Sequence, residues 1–407
     1  VSSAQERVAP KNAQSVAKLL ARCDRNGHKV RVAGGGTFAG MGYPPERVDV
    51  TLSTAQLTGV TANERADLVV AVRAGMPVRD VTTLLAAQGQ FIPFDAPNPQ
   101  YGTIGGTLAA GWLGPRRHAY GRVRDYLLGS TIVLADGTIA RAGGMVVKNV
   151  AGYDMTRLYV GSFGTLGVLV QANFKSIPMP QRARLFLAPL PERTRERACG
   201  QLAALRIAPA AAFWIDGFDN TIDGDEGPEG RVLALLEGSE ALVERATLEL
   251  RSALGRAGVP ETRIVDAGAR EAFERVVDGY IACLGERSVT YRLFPAGQES
   301  LRSAIGAQEL ARRVELRAEA IVDVMNADVV LRISDFDPHS FGAKIEGFDE
   351  ELHRAEPHAQ VIAGAHSRRG SLQVWGTEPP AIEQMRALKE RFDLNRTLNP
   401  GCFVGRI

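Results

Sequence analysis

Three glycine-rich segments hold the residues whose type and spacing could do chemistry. The first spans residues 31–42 and reads RVAGGGTFAGMG. Gly34, Gly35 and Gly36, followed by Thr37, leave backbone N–H groups unscreened by side chains, and such a loop can cradle phosphate oxygens. Gly34, Gly36 and Ala39 also satisfy the GxGxxG/A dinucleotide fingerprint. That fingerprint requires a helix opening at the loop, whose N-terminus faces the pyrophosphate. Here Gly40, Gly42 and the pair Pro44-Pro45 interrupt any such helix. The expectation is a phosphate loop outside a nicotinamide-type unit. The second segment, residues 93–117, reads PFDAPNPQYGTIGGTLAAGWLGPRR. Its Thr103, Gly105 and Gly106 form another phosphate-type loop, running into small residues at Leu108–Gly111. Two such loops in one domain suit an extended ligand with a central pyrophosphate better than a mononucleotide. In the third segment, residues 148–178, Asp154 can cap a short helix ending at Gly161, and Gly164 and Gly167 lead into a buried strand. By itself that reads as a glycine-rich turn packed against something flat.

The elements that must position these loops are short and alternate. Residues 12–25 predict a helix with Val16, Leu19 and Leu20 on one side, stopped at Asn26-Gly27. Strands are expected at Lys29–Ala33, Val48–Leu52, Leu68–Val72, Leu128–Ala135 and Gly167–Ile177, and a helix at Val78–Ala87 after Pro77. Pro178, Pro180, Pro189 and Pro191 mark a boundary. Beyond it, helices are predicted at 192–205, 240–257 and 298–313, between β-type runs at Ala211–Ile215, Arg231–Leu236 and Val289–Phe294. Asn220–Gly230, rich in acid and glycine, reads as a solvated loop. A helix at Glu378–Asp393 and the extended NRTLNPGCF close the sequence.

Composition narrows the classes. The chain has 407 residues, 45% hydrophobic and 23% charged, with a formal charge of +2. That length accommodates two cores, and that charge argues against nucleic acid or an anionic membrane surface. No run of eighteen apolar residues occurs, so no direct membrane span is expected. The opening VSSAQERVAPKNAQSVAKLL lacks an apolar signal core, which points to the cytoplasm. Cys23, Cys199, Cys283 and Cys402 lie far apart with no CxxC pair, so reduced, mostly buried thiols are expected in place of zinc or an iron–sulfur cluster. The histidines are scattered, and His353 and His358 are five apart, off the i, i+4 spacing of a ligand pair. No protein-bound metal is expected.

The order of the three segments, with GRVRDYLLGSTIVLADG at 121–137 between them, resembles the PCMH-type FAD domain of the vanillyl-alcohol oxidase superfamily. More narrowly, GPRRHAYGRVRDYLLG and GGMVVKNVAGYDMTRLYVGSFGTLGV resemble the E subunit of bacterial glycolate oxidase. The resemblance is close over 1–178, good over the C-terminal LKERFDLNRTLNPGCF and loose between them. It implies an α+β fold: a two-subdomain PCMH-type FAD-binding domain at 1–178, an α+β cap at 179–375, and a helix and tail at 376–407 returning to the FAD domain. By the same resemblance, Ala33, Gly34, Gly35, Gly36 and Thr37 match the pyrophosphate loop. Thr103, Ile104, Gly105, Gly106 and Thr107, with Pro97 earlier in the same segment, run beside the ribityl chain and phosphates. Gly164, Gly167 and Val168 line the flavin, and Asn399 sits on the C-terminal return. Relatives with covalent FAD often carry a histidine in the first loop. Gly36-Thr37 stands there instead, so FAD is expected to be non-covalent, with His118 the other position a link could use.

A flavin dehydrogenase needs a carboxylate anchor and a base that takes the hydroxyl proton. Arg116 and Arg117 can grip a carboxylate bidentately, or pair with FAD phosphates or acidic groups. Tyr120 and His118 are base candidates, and Arg122 and Arg124-Asp125 read as an internal ion pair. The larger relatives' paired-histidine metal motif and acidic-His-Gly motif are absent. The nearest segment, IAGAHSRRGSLQVW, offers His366 alone. Two functions stay open. The chain oxidises a small 2-hydroxy acid of the glycolate or D-lactate type, or it is a non-catalytic FAD subunit for electron transfer and assembly. A related UDP-sugar reductase would need NADPH and a different second loop. In either case an iron–sulfur or second flavin subunit is the expected partner, with membrane association only through it.

Overall fold

A computed structural model describes residues 6–146, 154–218, 230–259, 262–282, 284–296, 299–364 and 366–407. The chain divides into two compact units. One comprises Val1–Leu113, Arg122–Met179 and Glu378–Ile407; the other comprises Gly114–Gly121 and Pro180–Thr377.

In the first unit the helix Ala13–Arg25 begins where the Asn12 side chain accepts from Ser15 N–H at 2.9 Å. It ends before Gly27, which takes φ +67°. Its buried stripe, Val16, Leu19, Leu20 and Cys23, follows the helical period and shares a core with Val30, Val50, Leu52, Val133 and Val168. The strands Glu6–Val8, Val50–Ser53 and Val30–Ala33 form a parallel sheet in that order. Val30 N–H also donates to Thr397 O at 2.7 Å, and Leu398 bridges Val30 in parallel. The C-terminal segment therefore extends this sheet beside the first glycine loop.

A second sheet is antiparallel, in the order Val60–Glu64, Val69–Arg73, Val168–Lys175, Leu127–Val133, Ile139–Gly143. Along Val168–Lys175 buried and half-buried positions alternate, as a strand with one fully covered face requires. Behind it the helix Val78–Ala86 places Val78, Val81 and Leu85 against Phe94 and Phe174, whose rings meet edge-to-face at 5.4 Å.

The second unit is built on one eight-stranded sheet, antiparallel throughout. Its order is Arg263–Val265, Arg182–Pro189, Arg231–Gly238, Ala211–Asp216, Arg317–Asp323, Asp328–Ser334, Ser288–Leu293, Gln360–Gly364. Helices Glu192–Ala203, Glu240–Ala257, Ala269–Gly279, Ser300–Arg313 and Pro338–Ala355 belong with it. Sequence patterning misses several of these elements, among them Arg182–Pro189, Asp328–Ser334 and Pro338–Ala355. Their strands are apolar runs without alternation, which local periodicity cannot separate from buried helix.

Residues 114–121, placed by sequence in the 1–178 segment, group with the second unit. Asn326 Nδ2 donates to Pro115 O at 2.7 Å, and two ion pairs described below hold the same segment. Cys23 and Cys199 are buried free thiols, and Cys402 is half-buried. Burial raises the Cys23 thiol and pushes Cys199 up to about 12. Cys283 and most of the acidic loop at 220–230 lie outside the described residues, as does 148–153 of the third glycine segment.

Candidate functional site: a cofactor cleft in the first unit

The strand Val30–Ala33 stops at Gly34, and residues 34–42 continue as bends and turns with no helix. The physical objection to a nicotinamide-type loop is thereby met by geometry. Gly36 adopts φ +83°, a conformation that turns the chain and that side-chain-bearing residues disfavour. The backbone N–H groups of Gly35, Gly36, Thr37 and Phe38 donate to no atom among the described residues. Thr37 Oγ1 is buried without a partner. Four consecutive free donors and an orphaned hydroxyl suit a group rich in acceptor oxygens. Phe38 lies 5.3 Å from the Trp112 ring, and Trp112 Nε1 donates to Asp95 O at 2.7 Å, which pins the loop to the second segment.

The second loop is cross-linked through its backbone. Ile104 N–H donates to Met76 O at 3.0 Å and Gly105 N–H to Ala74 O at 2.7 Å. Thr103 caps the short helix Ile104–Ala109 by accepting from Gly106 N–H at 3.2 Å. A Cβ on Gly35 would stand 1.6 Å from Tyr101 O, so the two loops touch backbone to backbone. The assigned residues of this segment separate into two groups. Gly105 and Gly106 line the cleft. Ile104 is core, Thr107 is buried with its hydroxyl donating to Thr103 O at 3.0 Å, and Pro97 is buried outside the lining.

The third segment and the C-terminal tail complete the wall. Helix Met155–Tyr159 leads into Gly161, Phe163 and Gly164, all at positive φ (+78°, +54° and +66°). Gly161 N–H donates to Leu108 O and Phe163 N–H to Ala109 O, both at 2.9 Å, which ties this turn to the second loop. Asn399, at φ +43°, accepts from Val32 N–H through Oδ1 at 2.9 Å and donates from Nδ2 to Phe163 O at 2.7 Å. One side chain thus joins the strand before the first loop to the turn of the third. Together these segments form a cleft, with Gly34, Gly105, Gly106, Gly164, Gly167, Val168 and Asn399 among its lining.

The cleft also uses residues that sequence reasoning did not single out. Thr156 and Tyr159 line it, and Thr156 Oγ1 is buried with no partner. Burial raises the Tyr159 phenol above its usual range. Both lie in the quoted MTRLYVG stretch, where only the glycines carried a signal of their own. With two unpartnered hydroxyls, four free backbone donors and a wall of backbone at glycines, the residues present fit an FAD. Ala33 to Thr37 would hold its pyrophosphate, and the 156–168 wall would meet the flavin.

The substrate-side candidates belong to the second unit. Arg116 pairs with Glu237 at 2.9 Å, and Tyr120 OH donates to the same Glu237 oxygen at 3.2 Å. Arg270 reaches the other oxygen at 3.1 Å. Burial opposes ionisation of Glu237, but Arg116 and Arg270 outweigh it and hold its carboxyl below the usual range. Burial and the Glu237 charge push the Tyr120 phenol far up, so it stays protonated at neutral pH. Arg117 pairs with Asp328 at 2.7 Å and lies 4.0 Å from Asp323. Burial raises Asp323 to about 7 against the pull of Arg117. His366 is exposed, its Nδ1 2.9 Å from Arg369. His118 is exposed too. Among the described residues no group of three His, Cys, Asp or Glu side chains could hold a metal, and no helix is long and apolar enough to cross a membrane.

The class follows from the fold and the cleft together. Residues 4–154 match the FAD binding domain family. The fold is shared with p-cresol methylhydroxylase, solved with substrate bound, at a TM-score of 0.74 and 16% identity over 97% of this chain and 88% of that one. Residues 4–154 thus carry the pattern of an FAD binding domain, the fold is the one p-cresol methylhydroxylase has, and the cofactor is FAD. Among curated proteins it is 38% identical to glycolate oxidase subunit GlcE of Escherichia coli over 197 residues, 47% of this chain and 55% of that one. It is 33% identical to glycolate oxidase subunit GlcD of Bacillus subtilis over 211 residues, 51% and 45% respectively. The match therefore spans about half the length of these two relatives. A D-lactate dehydrogenase of Archaeoglobus fulgidus aligns over 98% of this chain and 91% of its own, at 26% identity.

Proposed function

We propose that this chain is an FAD-dependent oxidoreductase subunit that oxidises a small 2-hydroxy acid, of the glycolate or D-lactate type, and passes the electrons to a partner protein. The observation that carries this is the end-to-end alignment with a D-lactate dehydrogenase, which includes the second unit as well as the FAD domain. Oxidation of the alcohol carbon removes one hydride and one hydroxyl proton and yields the 2-oxo acid. Bound FAD supplies the two-electron acceptor. The chain's own part is to grip the phosphates with the N–H groups of Gly35 to Phe38, to seat the flavin against 156–168, and to anchor the carboxylate. Arg116 and Arg117 are the proposed anchors, and His366 is the proposed proton acceptor, since Tyr120 is held protonated. The match to two glycolate oxidase subunits supports assembly into a multi-subunit complex; the proposed partner is an iron–sulfur or second flavin subunit, in the cytoplasm or at a membrane through that partner.

One structural fact favours a second reading, a non-catalytic electron-transfer and assembly subunit. Both proposed anchors already satisfy buried carboxylates, Glu237 and Asp328. Anaerobic mixing of the isolated FAD-loaded chain with glycolate or D-lactate separates the two. Bleaching of the flavin absorbance supports catalysis by this chain, and an unchanged spectrum assigns catalysis to a partner. Slow reoxidation of the reduced chain in air, with rapid reoxidation in the co-purified complex, supports the partner. Fast aerobic turnover with peroxide release by the chain alone refutes it.

A further inference from the structure

The helix Ile382–Phe392 buries a lysine. Lys389 is 1% exposed, and its neighbour one turn on, Asp393, is equally buried. A buried ammonium is destabilising unless every proton finds an acceptor. Here all three do: Nζ donates to Thr165 O at 2.8 Å, to Leu398 O at 2.8 Å and to Asp393 Oδ2 at 2.6 Å. Burial lowers the Lys389 ammonium and the Asp393 charge opposes that shift. Asp393 in turn accepts from Thr397 N–H at 2.7 Å and from Leu398 N–H at 2.8 Å. Apart from the bond between them, the two side chains bond to backbone, at Thr165 on one segment and at Thr397 and Leu398 on another far along the chain.

Those two segments are the ones that turn the cofactor wall. Thr165 follows Phe163 and Gly164, at φ +54° and +66°, and Leu398 precedes Asn399, at φ +43°. Left-handed backbone at Phe163 and Asn399 is disfavoured and persists only where surroundings enforce it. Asn399 completes the link by bonding both Phe163 O and Val32 N–H. Phe163, Gly164 and Asn399 all line the cleft, whereas Lys389 and Asp393 do not.

We infer that Lys389, set by Asp393, is a positioning residue for FAD: its ammonium joins the 163–165 turn to the 397–399 tail and so holds the flavin wall in its binding geometry. Lys389 touches neither cofactor nor substrate and acts through the backbone it fixes. The test measures FAD affinity by fluorescence titration of the full apo chain. Lys389→Met, folded by circular dichroism, raises the FAD Kd by roughly 10-fold or more, because charged donors to both wall segments are lost. Lys389→Arg, which keeps charge and donors, recovers part of that loss. A folded Lys389→Met chain that binds FAD with a Kd within about twofold of wild type overturns the inference. Should Lys389→Met not fold, amide exchange on the wild-type chain decides. FAD then slows exchange at 163–165 and at 397–399 together, and protection confined to one of the two segments refutes the coupling.

Discussion

Replacing Gly35 tests the loop assignment most sharply, because the structure separates its contact role from its backbone role. An alanine Cβ at Gly35 would lie 1.6 Å from Tyr101 O and 2.6 Å from Tyr101 C. Restoring ordinary contact needs the first and second loops to part by about 2 Å. The opposing atom is backbone, so no side chain can swing aside, and the cost falls at the upper end of overpacking, about 3 kcal/mol. Charged against the FAD-competent state, that raises the FAD Kd by roughly 100-fold. Gly35→Val does the same and abolishes binding at ordinary concentrations. Gly36 is the contrast: a Cβ there meets nothing within 4 Å, but φ is +83°. Gly36→Ala should cost only about 1–2 kcal/mol of backbone strain. Gly200, in the helix Glu192–Ala203 with open space around it, is the control, and Gly200→Ala should leave FAD affinity unchanged. Flavin fluorescence titration of the apo chains, with thermal melts run alongside, gives the ranking. Gly35→Ala binding FAD as tightly as Gly36→Ala would refute the close-approach argument.

Three further outcomes are expected. Arg116→Ala leaves Glu237 buried with one cation fewer, which should destabilise the chain by about 3 kcal/mol in urea unfolding. If Arg116 also anchors substrate, KM rises while FAD content holds, and loss of FAD without a KM effect would assign the guanidinium to the phosphates. Asp323 titrates at about 7 in the folded chain against 3.8 unfolded. Between those values the folded form keeps a proton that the unfolded form has lost, so this group's contribution falls as pH rises through the window and is flat above it. Asp323→Asn should flatten urea midpoints measured between about pH 5 and about pH 8, and an unchanged slope would place the titration elsewhere. Acid precipitation of the yellow protein should release intact FAD into the supernatant, since Gly36-Thr37 offers no histidine for a covalent link; flavin retained on the pellet points to His118.

Much of the candidate cofactor cleft was legible because its demands are local. A phosphate loop needs bare N–H groups and a sharp turn, so Gly34 to Thr37 and Gly105-Gly106 announce themselves by residue type. Pro44-Pro45 exclude a helix after the first loop for an equally local reason, the missing donor and fixed ring. Helix ends such as Asn12 and Gly27 are set by one turn of chain and were readable within a residue or two. The partners of those residues were not readable. Nothing about Gly35 reveals that Tyr101 O faces it, and Thr156 and Tyr159 have no mark distinguishing a cleft wall from a core.

The same contrast governs the rest of the chain. By itself the sequence determined the FAD-binding class, the glycine loops and the amphipathic helices, because sterics, periodicity and capping act over a few residues. Only the tertiary structure decided that 114–121 packs with the second unit, where Glu237 and Asp328 supply the carboxylates its arginines need. It likewise decided the order of the eight-stranded sheet and the bond from Lys389 to Thr165. Those features depend on which groups converge after the chain has folded, and a buried charge or an unpaired strand edge takes its partner from whatever distance along the sequence that convergence brings.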